Sequence, residues 1–140
     1  MIKRMTHVTI WVYDQDEALE FYTKVLGFEL KTNAEFAPGK WWITVSPKGQ
    51  DLELILMDPR SVAKDPADAE LVRELVKRGV LGPGAFTTDD VRGTYDELRG
   101  QGVEFSSPPT ERFYGIETVM RDNQGNWFSV TQPTQGQNQH

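Results

Sequence analysis

The chain has 140 residues, 38% of them hydrophobic and 26% charged, the composition of one soluble globular domain. A net charge of −6 with no Lys/Arg run opposes nucleic-acid binding, which needs a basic face. The absence of cysteine excludes disulfides, thiolate metal sites and cysteine nucleophiles, and no apolar run approaches the roughly 20 residues that span a membrane.

Lys3-Arg4 is followed by no long apolar region, so no signal peptide is expected and the expected compartment is the cytoplasm. Strand 1 is expected over about Lys3 to Tyr13. Val8, Ile10 and Val12 alternate there with His7, Thr9, Trp11 and Tyr13, giving one aliphatic and one mixed face. Asp14 is placed to cap a helix, with Glu17 as the return half of a capping box. Ala18, Phe21, Tyr22 and Val25 then recur at helical spacing and Gly27 ends the helix. Strand 2 follows over Phe28 to Thr32, strand 3 over Lys40 to Ser46 and strand 4 over Asp51 to Met57. In strand 4, Glu53, Ile55 and Met57 oppose Leu52, Leu54 and Leu56. Pro66 opens a linking helix to Arg78, with Leu71, Val72, Leu75 and Val76 as its apolar stripe and Glu70, Arg73, Glu74, Lys77 and Arg78 on a solvated face.

Strand 5 is expected over Pro83 to Thr88, and Asp89 or Asp90 caps a helix to Arg99. Strand 6 spans Val103 to Ser106, with Pro108-Pro109 in the loop before strand 7, Tyr114 to Met120. The Asn123–Asn126 turn leads to strand 8, Trp127 to Thr131. The second half repeats the first. An offset of 76 residues puts Asp14 on Asp90, Ala18 on Thr94 and Tyr22 on Leu98, while Gly102 matches Gly27 one place early. The expected organisation is a single domain over 1–133, with module one at 1–58, a linker helix region at 59–81, module two at 82–133, and a disordered tail at 134–140.

His7, the Asp14 turn, Ala18, Phe21-Tyr22 and Leu26-Gly27-Phe28 resemble the vicinal oxygen chelate superfamily, the group of glyoxalase I, bleomycin-resistance proteins and extradiol dioxygenases. In the second half Thr88-Asp89-Asp90-Val91, Tyr114-Gly115, Asp122, Gly125-Asn126 and Gln132-Pro133 agree with it. The resemblance covers about residues 3 to 133. It implies an α+β fold of two βαβββ modules, whose curled mixed sheet surrounds a shared cavity, in a homodimer. Metal-dependent members place one ligand on the first and last strand of each module. Those positions are His7, Glu53, Pro83 and Ser129 here, so two good ligands are joined by one residue that cannot ligate through its side chain and one weak neutral one. A catalytic divalent site keeps about three protein ligands, so Ni, Zn, Mn or Fe would need a further group. Asp51, or a carboxylate from a second subunit, could supply it.

Three readings of His7 and Glu53 stand side by side. They are metal ligands, a hydrogen-bonded pair, or a general-base pair in which burial raises the glutamate and a charged histidine lowers it. If His7 points into the cavity, parity assigns Thr9, Trp11, Ile55, Met57, Ala85, Thr87, Trp127, Ser129 and Thr131 to the same lining, with Phe113 and Tyr114 at its rim. One of Trp41 and Trp42 should face the site or a dimer interface, and Arg112 and Arg121 are placed to meet an acidic ligand. Such a lining suits a small apolar or aromatic molecule. The function expected is binding of such a molecule without a complete metal site; the alternative is a metal-dependent lyase, isomerase or dioxygenase using His7 and Glu53.

Overall fold

The computed structural model describes residues 1–134, so the tail expected from 134 lies outside the described residues beyond Thr134. The element order is β1 (His7–Trp11), α1 (Gln15–Glu20), β2 (Glu29–Ala37), β3 (Lys40–Ser46), β4 (Glu53–Met57), α2 (Pro66–Lys77), β5 (Gly84–Thr87), α3 (Val91–Gly100), β6 (Glu104–Arg112), β7 (Gly115–Arg121) and β8 (Trp127–Pro133). The strands form two four-stranded mixed sheets, ordered β1-β4-β3-β2 and β5-β8-β7-β6. In each, the first and last strands of the module run parallel and the others antiparallel. Both sheets stay open, so β1 and β5 are edge strands.

The two βαβββ modules are as expected; several details are not. α1 is short and passes into a π-helical turn over Phe21–Val25, where Leu26 N–H reaches the Phe21 carbonyl at 3.1 Å. The Asp14 carboxylate caps α1 by accepting from Glu17 N–H at 3.0 Å. The return half of the box is replaced: Asp14 N–H donates instead to Gln124 Oε1 of module two, at 2.9 Å. Pro108-Pro109 lies inside β6 rather than in a loop. β6 is an edge strand with register shifts on either side of Ser107, so the missing N–H groups break no regular ladder. β8 continues to Pro133, which pairs with Gly115. The α2 stripe is also rotated from the one expected. Leu71 and Leu75 are exposed while Ala69 and Val76 are buried. Arg73 leaves the solvated face to donate to the Tyr13 carbonyl at 2.8 Å and to meet Asp58.

One core joins both modules. Ile10, Val12, Ile43, Val45, Leu54 and Leu56 bury the aliphatic face of the first sheet against Phe21 and Tyr22, and Leu98, Met120, Phe128 and Val130 complete it from the second module. The rings of Tyr22, Phe28, Phe86 and Phe128 run through it at centroid spacings of 5.7, 5.5 and 4.8 Å. By strand parity, the opposite faces of the two sheets, carrying His7 and Ser129, look away from this core.

A polar lock fastens the modules on one side. The Asp122 carboxylate accepts from five donors: Tyr22 O–H at 2.7 Å, Asn126 Nδ2 at 3.0 Å, and the backbone N–H groups of Gln124, Gly125 and Asn126 at 2.9 Å each. The turn it shapes reaches into module one. Gln124 Oε1 accepts from Tyr13 and Asp14 N–H, Asn126 Nδ2 donates to the Trp11 carbonyl, and Asn123 Nδ2 to that of Glu17. Gly125, at φ 115, is pressed against the Val76 carbonyl and leaves no room for a Cβ.

Candidate functional site

The first sheet brings His7 and Glu53 together as adjacent partners on parallel strands. His7 Nε2 lies 3.5 Å from Glu53 Oε1. Thr44 O–H, from β3, donates to the same oxygen at 2.6 Å, and His7 Nδ1 meets Thr6 Oγ1 at 2.9 Å. Glu53 is 26% exposed, so its carboxylate opens onto the outer face. The Trp42 ring stands 6.3 Å from the imidazole and 6.5 Å from Phe36. Of the two neighbouring tryptophans, Trp42 is thus the one beside the site. Trp41 lies on the opposite face, at a separate polar hollow of about 570 Å³ with Asp14, Asp16, Asn33 and Arg60. Thr9 and Trp11 continue the His7 face along β1, and Ile55 and Met57 lie beside them on β4, both buried.

The second sheet builds a matching group around a residue that sequence reasoning missed. Glu117, on β7, accepts from Tyr114 O–H at 2.7 Å and from Ser129 O–H at 2.9 Å. Thr131 Oγ1 is 3.3 Å from Ser129 Oγ. The hydrogen bond to Glu117 pushes the Tyr114 phenol up from its ordinary value. Arg112 Nε stands 4.0 Å from Glu117 and is half exposed. Arg121 is committed elsewhere, donating to the carbonyls of Gly79 and Gly125 rather than facing a ligand. Phe113 projects into solvent with its ring against Tyr114. The Trp127 indole lies over Gly82, where a Cβ could not fit.

The repeat also slips at β5. His7 opposes Glu53, but the residue opposite Ser129 is Ala85, not Pro83, which precedes β5. The 76-residue offset therefore holds for β4 and β8 and fails for β5, which pairs two residues further along. Either residue leaves the position without a ligand. His7 and Glu53 offer two metal donors, and among the described residues no group of three His, Cys, Asp or Glu side chains could hold an ion. The described residues of one chain do not fit the three-ligand catalytic site.

The cavity between the modules takes none of its lining from the His7–Glu53 or Glu117–Ser129 pairs. The space between the modules, about 910 Å³, is lined from the other side of the sheets, by Val8, Ile10 and Leu54 against Phe86, Phe128 and Val130. No helix among the described residues is long and apolar enough to cross a membrane.

Comparison with known proteins agrees with this architecture. YurT of Bacillus subtilis (strain 168), an uncharacterised protein, is 34% identical over 124 residues, covering 89% of this chain and 94% of that protein. The crystal structure of UcmS2 superposes with a TM-score of 0.88 at 39% identity, covering 94% of this chain and 99% of that one. TnmS3, an antibiotic binding protein from Streptomyces sp. CB03234, superposes with a TM-score of 0.74 at 27% identity, covering 95% and 98% of the two chains. The profile of one family matches residues 4–130. With its paired βαβββ modules, the chain belongs to the Glyoxalase/Bleomycin resistance protein/Dioxygenase superfamily.

Proposed function

We propose that this protein binds a small apolar or aromatic molecule, as a cytoplasmic homodimer, on the outer faces of its sheets. The observation that carries this reading is the His7–Glu53–Thr44 group beside Trp42 and Phe36, an aromatic surface with polar acceptors and only two metal-type donors. Such a lining orients a flat ligand through a few polar contacts. The antibiotic-binding character of TnmS3 supports a sequestering role.

Each outer face is exposed along its edge strand, while Thr44, Ile55 and Met57 at the centre of the first are buried. The edge strands β1 and β5 carry His7, Thr9 and Trp11 on one sheet, and Ala85 and Thr87 on the other. Unpaired edges invite pairing. A two-fold dimer that sets the His7 face of one copy against the Ser129 face of its partner would enclose two equivalent cavities.

A second reading places the ligand in the 910 Å³ space inside the chain, favoured by its apolar lining. Tryptophan quenching by planar aromatic probes separates the two. Trp42→Ala abolishes saturable quenching on the first reading, and Leu52→Trp, which fills the inner space, leaves it intact; the second reading reverses both results. Metal content by plasma mass spectrometry tests the remaining enzyme reading. Stoichiometric metal lost in His7→Ala and Glu53→Ala would restore a metal-dependent lyase, isomerase or dioxygenase.

A further inference from the structure

The two outer faces carry the same polar pair with its parts exchanged. Thr44 opposes Ile55, and Glu117 opposes Thr131. Ile55 and Thr131 are related by the repeat, so Thr44 on β3 and Glu117 on β7 occupy equivalent places. Glu53 on β4 and Ser129 on β8 are likewise equivalent. In module one the hydroxyl is on the inner strand and the carboxylate on the last; in module two the order is reversed. The hydrogen bond survives the exchange, at 2.6 Å for Thr44 to Glu53 and 2.9 Å for Ser129 to Glu117.

Each carboxylate also meets one ring group. His7 Nε2 is 3.5 Å from Glu53, and Tyr114 O–H is 2.7 Å from Glu117. An ionised carboxylate has about four lone-pair sites, and these neighbours leave some of them open. Both remain partly exposed, at 26% and 22%. Among the described residues the one guanidinium near either, that of Arg112, stands back at 4.0 Å and is half in solvent.

We infer that Glu117 is a specificity-determining residue, and that the ligand is a planar aromatic carrying hydrogen-bond donors at two separated positions, one for Glu53 of one copy and one for Glu117 of the other. This rests on the outer-face reading of the site. A ligand that displaces water from a carboxylate without supplying a donor leaves a desolvated charge unpaired. A donor-bearing ligand is therefore selected over the same ring system without donors. Hydrogen bonds to charged groups are strong enough for a preference of about tenfold or more.

The experiment is calorimetric titration with 1,5-dihydroxynaphthalene and with 1,5-dimethoxynaphthalene, which keeps the ring and removes both donors. The wild-type protein is expected to prefer the dihydroxy compound by about tenfold or more, and Glu117→Gln and Glu53→Gln each to lose most of that preference. Tyr114→Phe, which frees a lone pair on Glu117, is expected to keep or raise it. Circular dichroism establishes that each variant is folded. Equal affinity for both compounds overturns the donor requirement while leaving aromatic binding in place. A preference unchanged in Glu117→Gln, or lost in Tyr114→Phe, overturns the role of Glu117. Binding of neither compound overturns this inference together with the outer-face reading.

Discussion

Replacing Asp122 with alanine should be among the most damaging single substitutions in this chain. The carboxylate is 6% exposed, and its donors include Tyr22 at 0% and Asn126 at 1%. Removing it strands five donors, each worth about 1–3 kcal/mol when buried and unsatisfied. Water entering the vacated space will recover some of them, so about 4 kcal/mol or more is expected, a large part of a typical total of about 5–15 kcal/mol. Tyr22→Phe removes a single donor and leaves the other four in place, which should cost about 1–2 kcal/mol. Urea unfolding followed by tryptophan fluorescence measures both. The turn also carries the Gln124 and Asn126 bonds into module one. Asp122→Ala should therefore lower the slope of the unfolding transition as the modules come apart separately. A cost within about 1 kcal/mol of Tyr22→Phe, with an unchanged slope, would refute the idea that this carboxylate organises the lock.

Three further outcomes are expected. Gly125→Ala places a Cβ against the Val76 carbonyl at a positive φ and should destabilise the fold by about 2 kcal/mol or more, read from the same urea curves. Stability should fall in alkali. Burial, then the Asp122 charge and the hydrogen bond to it, hold the Tyr22 phenol well above its ordinary value, so its contribution is complete below about pH 10 and is lost as pH rises through the folded value. Tyr22→Phe should flatten that decline, and an unchanged alkaline slope would contradict the assignment. Stability should also fall in acid. Burial raises Asp58, but the Arg60 side-chain and backbone hydrogen bonds, with the Arg60 and Arg73 charges, outweigh it and leave the group lowered. Its contribution is present above about pH 4 and lost as pH falls through the folded value, so Asp58→Asn should flatten the acid limb of the stability profile.

The modules were legible in the sequence because their signals are local. Period-two alternation in His7–Tyr13, the Asp14 and Asp90 caps and the turn glycines each depend on a few neighbouring residues. The His7–Glu53 pairing was also legible, since a carboxylate between two leucines needs a partner. Glu117 was not, although it sits mid-strand between Ile116 and Thr118 and the same reasoning applied. The repeat hid it: an offset of 76 aligns Glu117 with Trp41, whereas strand pairing aligns it with Thr44. Insertions between strands change the offset, and only hydrogen-bond register restores the match. The reassignment of Arg73 and Arg121 was illegible for a different reason. Each guanidinium donates to the backbone carbonyl of a distant segment, Arg73 to Tyr13 and Arg121 to Gly79, which no side-chain pattern announces.

The most direct test of the composite site is complementation between two inactive variants. Trp42→Ala damages the first-module face and Ser129→Trp blocks the second-module face, so each homodimer alone should fail to bind 1,5-dihydroxynaphthalene. After the two are unfolded together and refolded, about half of the dimers are mixed, and each mixed dimer holds one intact cavity of two. Recovery of about one quarter of the wild-type binding capacity is expected. If the mixture binds no more than the separate variants, the site does not lie across two copies and the central claim is wrong.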